Sequence, residues 1–282
     1  MNLLSIQSHV AYGHVGNSAA VFALQRLGVE VWPVHTVQFS NHPGYGAWKG
    51  GEFDARLIRD VVQGIEQRSV FGTCDGVLSG YMGSVAIGEA IVDAVSRVKH
   101  ANPAARYCCD PVIGDSERGV YVKAGLPEFI RDCVLATADI VTPNHFELEH
   151  LTGRAAKTLA DALSAIGMLH AIGPRVVLVT SLRTDKTPAG TVDIVVSDRR
   201  KQFRVRTPQL PISIHGAGDV IAALFFAGYL RGGSLADALS RAVSSLFGVL
   251  ARTAEAGARE LQLVGAQEEL ITPSRIFPAE SI

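Results

Sequence analysis

One carboxylate, Asp219, follows Gly216-Ala217-Gly218 and precedes a long apolar run in "SIHGAGDVIAALFFAG" (213–228). Glycines let a backbone approach a ligand closely. A helix that starts here leaves its first N–H groups without partners, and its dipole adds partial positive charge. Together these make an anion site. An Asp beside such a site can take the proton of an alcohol that attacks the anion. Asp is also a preferred helix N-cap, and the motif alone does not choose between the two roles.

Other polar stretches could join the same chemistry. "TPNHFE" (142–147) sets Asn144 and Glu147 three apart. The pair suits a hydrated Mg²⁺, which prefers oxygen ligands, and equally suits a capping box at a helix start. "DPVIGD" (110–115) offers Asp110 and Asp115 with Gly114 between them. They fit metal- or phosphate-linked chemistry, or a proline-driven turn with solvated acids. "GHVGNSAA" (13–20) is G-x-x-G rather than the dinucleotide fingerprint, and it reads as the opening of a helix. The G-x-x-x-x-G-K-[ST] loop is absent, so a phosphate transferase would have to use "HGAGD" as its cradle. Histidines 9, 14, 35, 42, 145 and 215 form no His-x-x-x-His helix pair, which disfavours a zinc hydrolase. No G-x-S-x-G elbow occurs, which disfavours an α/β-hydrolase.

Apolar runs must position these loops. "NLLSIQ", "VEVWPV", "DGVLSGY", "RYCCDPV", "DIVTPN" and "PRVVLVTSL" read as buried strands. Between them, Leu57, Ile58, Val61, Val62 and Ile65 mark one helical face. Leu159, Ala162, Leu163, Ile166, Leu169 and His170 mark another. "TVDIVVSD" and "KQFRVRTP" read as an antiparallel hairpin near the sheet edge. Helices are expected at about 217–230, 234–250 and 254–270. Strand–helix alternation implies a mostly parallel sheet covered on both faces. Ligands of such sheets bind beyond the carboxyl ends of the strands, where the polar loops above fall. No repeat or linker interrupts the 282 residues, so one domain over 1–282 is expected.

Composition narrows the partners. The chain is 48% hydrophobic and 19% charged, enough for a large core. A net charge of −1 provides no basic field for nucleic acid. No apolar stretch approaches a membrane span, and "MNLLSIQSHV" reads as a first strand rather than a signal peptide. Cys74, Cys108, Cys109 and Cys133 show no metal spacing; the adjacent Cys108 and Cys109 read as buried thiols, in keeping with a reducing cytoplasm.

The sequence resembles the ribokinase-like small-molecule kinases, and within them the pyridoxal kinases. "SIQSHVAYGHVGNSAA", "VWPVHTVQFSNHPGYGAWKG", "LSGYMGS", "CDPVIGD", "TPNHFELEHLTG" and "HGAGDV" occur in order across nearly the whole chain. "GAGD" marks the superfamily, and "IQSHV" with "QFSNHxGYG" marks the pyridoxal branch. The resemblance implies a three-layer α/β/α ribokinase-like fold without a separate lid domain. It implies transfer of the ATP γ-phosphoryl group to the 5′-hydroxymethyl of a B6 vitamer, with Mg²⁺, room for a monovalent cation, and a cytoplasmic homodimer. Asp219 would be the base, and the amides of Gly216, Ala217 and Gly218 the anion hole. Asp110, Thr142, Glu147, Thr180, Ser181, Arg206 and Thr207 would serve ATP, the loop 206–209 flanking adenine. Asp110, Asp115, Asn144 and Glu147 would serve the metal, through water. Ser8, His42, Pro43, Gly44 and Tyr81 would surround the pyridine ring. Two departures stand out. Pro43 replaces the family's common Thr, and Thr180 stands where some bacterial relatives carry Lys. The dipole of the helix should keep Asp219 ionised and a weak base. The alternatives are a hydroxymethylpyrimidine or other small-alcohol kinase of the same fold, and a non-catalytic B6-binding protein.

Overall fold

In a computed structural model describing residues 1–282, the apolar runs become strands and the amphipathic stretches helices, in the order β1 (Asn2–Val10), α1 (Asn17–Arg26), β2 (Glu30–Phe39), β3 (Gly50–Glu52), α2 (Ala55–Glu66), β4 (Gly76–Ser79), α3 (Val85–Ala101) and β5 (Arg106–Cys109). A small flap follows, β6 (Gly114–Asp115) and β7 (Gly119–Val120). Then come α4 (Leu126–Phe129), α5 (Leu135–Thr137), β8 (Ile140–Val141), α6 (His145–Thr152), α7 (Leu159–Ile172), β9 (Val176–Leu182), β10 (Thr191–Ser197), β11 (Gln202–Pro208), α8 (Ala217–Leu230), α9 (Leu235–Glu255), α10 (Gln267–Ile271) and β12 (Glu280–Ser281).

One sheet takes ten strands in the order β12-β11-β10-β9-β8-β5-β4-β1-β2-β3. From β2 through β9 neighbours run parallel. Antiparallel pairs close both edges, β3 on one side and β10, β11 and β12 on the other. The expected hairpin is β10–β11, with Asp193 opposite Arg206.

Why the central strands are apolar without interruption follows from the two cores. Along β9, Val177 and Val179 face one core while Val176 and Leu178 face the other. Alternate side chains leave on opposite faces, and both faces are covered. One core gathers α2, α3, α6 and α7; the other gathers α1, α8 and α9. Helix α8 is buried at every position from Val220 to Ala227, because it lies between the sheet, α1 and α9. No helix is long and apolar enough to cross a membrane.

Two expected helical features differ. The face of α2 buries Ile58 and Val62, whereas Leu57 and Val61 are exposed. The helix expected at 254–270 does not form. Gly257 takes a left-handed φ of 57°, and the Ala258 amide returns to the Thr253 carbonyl, which terminates α9. The Gln262 amide then caps Thr253 Oγ1 at 3.0 Å. The chain from 256 to 266 is a loop that buries Leu261 and Leu263 and carries Glu260 to the carboxyl end of the sheet. Its apolar spacing is real, but it serves a loop anchored in the core.

Candidate active site

The parallel strands end around a cavity of about 830 Å³, within the usual range for small-molecule sites. The mouth of α8 forms part of its wall. Gly216 there has φ 90°, and a Cβ would lie on the His14 carbonyl oxygen; only glycine fits. The first helical bond runs from the Val220 amide to the Gly216 carbonyl. The amides of Ala217, Gly218 and Asp219 therefore lack helical partners. Gly216, Ala217, Gly218 and Asp219 all line the cavity. At Gly218 an added Cβ would meet nothing nearer than Asp110 Oδ2, at 3.9 Å. The fold does not demand glycine at that position.

Three acids gather in the floor. Asp219 has its carboxyl pushed up to about 6, first by burial, while the Gly16 amide and its own amide pull it down. The helix end was expected to keep it a weak base; burial outweighs the amides, and Asp219 is a stronger base than that expectation. Asp110 Oδ1 accepts the Thr142 hydroxyl at 2.9 Å. Burial, then the charges of Glu147 and Asp219, raise Asp110 well above the usual carboxylate range. Glu147 is pushed up to about 7 by burial against three amide donors. The cavity lining also includes two cations, Arg118 and Arg183, and no lysine.

The open alternatives at Asn144 and Glu147 resolve in geometry. Asn144 Oδ1 accepts the Glu147 amide and Glu147 Oε2 accepts the Asn144 amide, each at 2.9 Å, a complete capping box at α6. Glu147 Oε1 also accepts the Ile113 amide at 2.9 Å. Both oxygens of Glu147 are thus committed within the protein, and both residues still border the cavity. Asp110 and Asp115, alike in the sequence, part company. Asp110 is buried. Asp115 sits on the β6–β7 flap, where Arg118 binds it through Nε at 2.8 Å and Nη2 at 2.5 Å.

For Mg²⁺ the donor set fits a hard cation: clustered carboxylates that repel one another, with Asp110 Oδ2 making no hydrogen bond. Three side chains do not converge to hold an ion alone, so water and phosphate oxygens would complete the shell.

One end of the cavity is lined by Ser8, His42, Pro43, Gly44 and Tyr81. Pro43 starts a 3-10 turn over Pro43–Tyr45, capped by His42 Nδ1, which accepts the Gly44 amide at 3.0 Å. Proline is at home in a first turn, where its missing N–H has no partner to lose. The ring of His42 stacks on His215, centroids 3.8 Å apart. Burial, His215 and then Arg118 push His42 down to about 4, so this imidazole is neutral.

The opposite end is an apolar slot between the β10–β11 hairpin and α8/α9, with Val192, Ile194, Leu246, Phe247 and Leu250. Thr180, Ser181 and Thr207 stand on its polar border. Arg206, expected with them, is not on the wall. Alternation along β11 turns Thr207 to the cavity and Arg206 to the other face. There its Nε and Nη2 grip Asp193, directly across the hairpin, at 2.6 and 2.7 Å. Glu260, unremarked in the sequence, bonds the Tyr45 phenol beside the ring end at 2.6 Å.

A family model described as phosphomethylpyrimidine kinase matches residues 65–263. The pyridoxal kinase PdxY of Granulibacter bethesdensis is 55% identical, covering 99% of each chain. That of Rubrobacter xylanophilus is 52% identical, over 100% of this chain and 98% of its own. The solved pyridoxal kinase of Leishmania donovani in complex with ADP and pyridoxamine superposes with a TM-score of 0.93 at 30% identity, over 100% of this chain and 99% of that one.

Proposed function

The chain belongs to the pyridoxal kinase family and phosphorylates B6 vitamers with ATP, and from that premise we propose that the whole chain acts as one kinase domain whose chemistry is set at the mouth of α8. One observation carries the assignment of roles. A partly buried carboxylate with a raised pKa and the amides at the mouth of α8 that make no helical bond share one cavity wall, with an apolar slot to one side and the His42–Gly44 loop to the other.

Adenine enters the slot between hairpin and helices, as flat apolar rings do. Thr180 and Ser181 offer hydroxyls to the phosphates, where a lysine would offer an ammonium. The vitamer ring lies against Ser8, His42, Pro43, Gly44 and Tyr81, its 5′-hydroxyl toward Asp219. The hydroxyl oxygen bonds to the γ-phosphorus as the bond from that phosphorus to the β,γ-bridging oxygen breaks. ADP leaves, and the hydroxyl proton passes to Asp219. The amides of Gly216, Ala217 and Gly218 meet the charge on the transferring group. Such transfer needs positioning and charge stabilisation more than covalent help, and fixed amides supply that without reorganising. Mg²⁺ held by Asp110, with Glu147, Asn144 and Asp115 reaching it through water, would neutralise phosphate charge. The neutral His42, an acceptor at Nδ1, presents its Nε2–H as a donor in the ring site.

We extend the reading to a homodimer in the cytoplasm. The four free cysteines fit a reducing compartment, and the exposed Leu57 and Val61, one turn apart on α2, leave apolar surface for a second copy. The test of the substrate class is a coupled ATPase assay over pyridoxal, pyridoxine, pyridoxamine and hydroxymethylpyrimidine. Turnover should be highest with a B6 vitamer. Faster turnover of hydroxymethylpyrimidine would reassign the substrate, and no turnover of any alcohol would leave a binding protein.

A further inference from the structure

Glu260 is a carboxylate that the proposed reaction does not use, yet several parts of the site meet on it. Its Oε1 accepts the Tyr45 phenol at 2.6 Å, and its Oε2 accepts the His14 amide at 3.1 Å. The Arg259 guanidinium lies 4.7 Å from the centroid of the Tyr45 ring, and Tyr12 meets that ring edge-on, centroids 6.2 Å apart.

Each partner borders something that matters. Tyr45 closes the turn begun by Pro43 and Gly44, which line the ring end. The His14 carbonyl fills the space beside Gly216 that a side chain would take. Two residues on, the Gly16 amide steadies the Asp219 charge. Loop 40–51 is tied at its base by the Ser40 amide to the Lys49 carbonyl and by β3 pairing with β2. Its tip is exposed at Gly44 and again from Gly46 through Lys49, and there the His42–His215 stack and the Tyr45 phenol reach across to the loops before α8 and after α9. Ordering such a loop costs conformational entropy, and a hydrogen bond to an ionised acceptor is among the stronger ones available to offset it.

We propose that Glu260 is a positioning residue that holds the vitamer loop closed against the mouth of α8, through Tyr45 on one side and His14 on the other. The inference rests on the reading that loop 40–51 covers the alcohol substrate. A closed loop also keeps water from the γ-phosphate, so the latch couples ATP use to vitamer phosphorylation.

Steady-state kinetics of Tyr45→Phe, Glu260→Ala, Glu260→Gln and the Tyr45→Phe/Glu260→Ala double variant test it. The KM for pyridoxal should rise about tenfold or more in Tyr45→Phe and in Glu260→Ala, the scale of one hydrogen bond to a charged group. In Tyr45→Phe the KM for ATP should stay within about twofold, because that variant removes only the ring-end contact and leaves the His14 contact in place. ATP hydrolysis without vitamer should increase. Glu260→Gln should fall between Glu260→Ala and the wild type, because the amide can donate to the phenol oxygen while its carbonyl accepts from His14, but without the charge. The double variant should be no worse than Glu260→Ala alone, since Glu260→Ala has already removed the Tyr45 contact. An unchanged pyridoxal KM in Tyr45→Phe, a parallel rise in its ATP KM, or single effects that multiply in the double variant would overturn the proposal. Tyr45→Phe removes one hydroxyl near the surface, so it carries the test alone if Glu260→Ala does not fold. A wild-type enzyme inactive on every B6 vitamer would refute the functional reading itself, before any variant is compared.

Discussion

Asp219 combines two properties that work against each other. Its pKa of about 6 lies above its ordinary 3.8 because burial disfavours the charge. A carboxyl whose folded pKa is raised costs stability when ionised. The cost is absent below pH 3.8, grows as pH rises toward 6, and is complete above it. A shift of that size corresponds to at most about 3 kcal/mol, and water in the open cavity reduces it to about 1–2 kcal/mol. Asp219→Asn should therefore raise the melting temperature at pH 8 and leave it unchanged near pH 3.5. A destabilised variant at pH 8 would make Asp219 a structural acceptor for the Gly16 amide and its own amide. The same pKa should appear as an acidic limb near pH 6 in kcat/KM for pyridoxal, with activity falling below it, since that ratio reports the free enzyme. Asp110 and Glu147 divide along similar lines. Asp110→Asn keeps the acceptor for Thr142 and should raise the Mg²⁺ needed for half-maximal rate by about tenfold, one full ligand's worth of charge. Glu147→Gln turns one oxygen into a donor facing amide donors. It should cost stability, about 1–3 kcal/mol in chemical denaturation, more than it shifts the Mg²⁺ titration. Their sequence context, "DPVIGD" and "TPNHFE", identified both as polar positions at strand ends. It could not tell Asp110 from Asp115, because burial is decided by where the β6–β7 flap folds.

The mouth of α8 was the most legible element. Its range matches the expected 217–230, since a Gly-Ala-Gly start and a wholly apolar interior leave few other solutions. The two glycines nonetheless have different reasons. Gly216 is required by a left-handed φ and by the His14 carbonyl. Gly218 is sterically free, so the fold does not require it, and the proposed anion hole is the reason we give for it. Gly218→Ala should fold as well as the wild type or better, by up to about 1 kcal/mol, since alanine favours a helix over glycine. Its phosphoryl transfer should nevertheless fall, with a rise in ATP KM. Gly216→Ala should lose stability and activity together. If thermal melts show both variants equally destabilised, the anion-hole account of residue 218 fails. Arg206 and the 254–270 stretch show where local reading stops. Period-two alternation in "KQFRVRTP" already places Arg206 opposite Thr207, a signal available in the sequence and outweighed by proximity to Thr207. Nothing local marks Glu260, because its partners lie 215 and 246 residues away.

Across the molecule, strand–helix alternation was enough to lay out a mostly parallel sheet with its polar loops at one end. The edges were less visible. β3 and β12 are three and two residues long, too short to carry a period, and they form only because a neighbour offers unpaired backbone. The exposed Leu57 and Val61 are a whole-molecule matter too: helical periodicity marks them as apolar, but cannot say whether sheet, solvent or a second chain faces them. All parts of the account meet in one claim, that the carboxylate at the helix mouth takes the proton of the vitamer's hydroxyl while the adjacent amides hold the phosphoryl group. The most direct measurement is the single-turnover rate of pyridoxal 5′-phosphate formation by Asp219→Asn, at saturating ATP and Mg²⁺ and pH 8. The account predicts a loss of about 10²–10⁴-fold, the usual worth of a positioned general base, with ATP affinity retained. A loss below about tenfold would contradict it and leave Asp219 a structural carboxylate in the first turn of α8, where Gly216 is the cap.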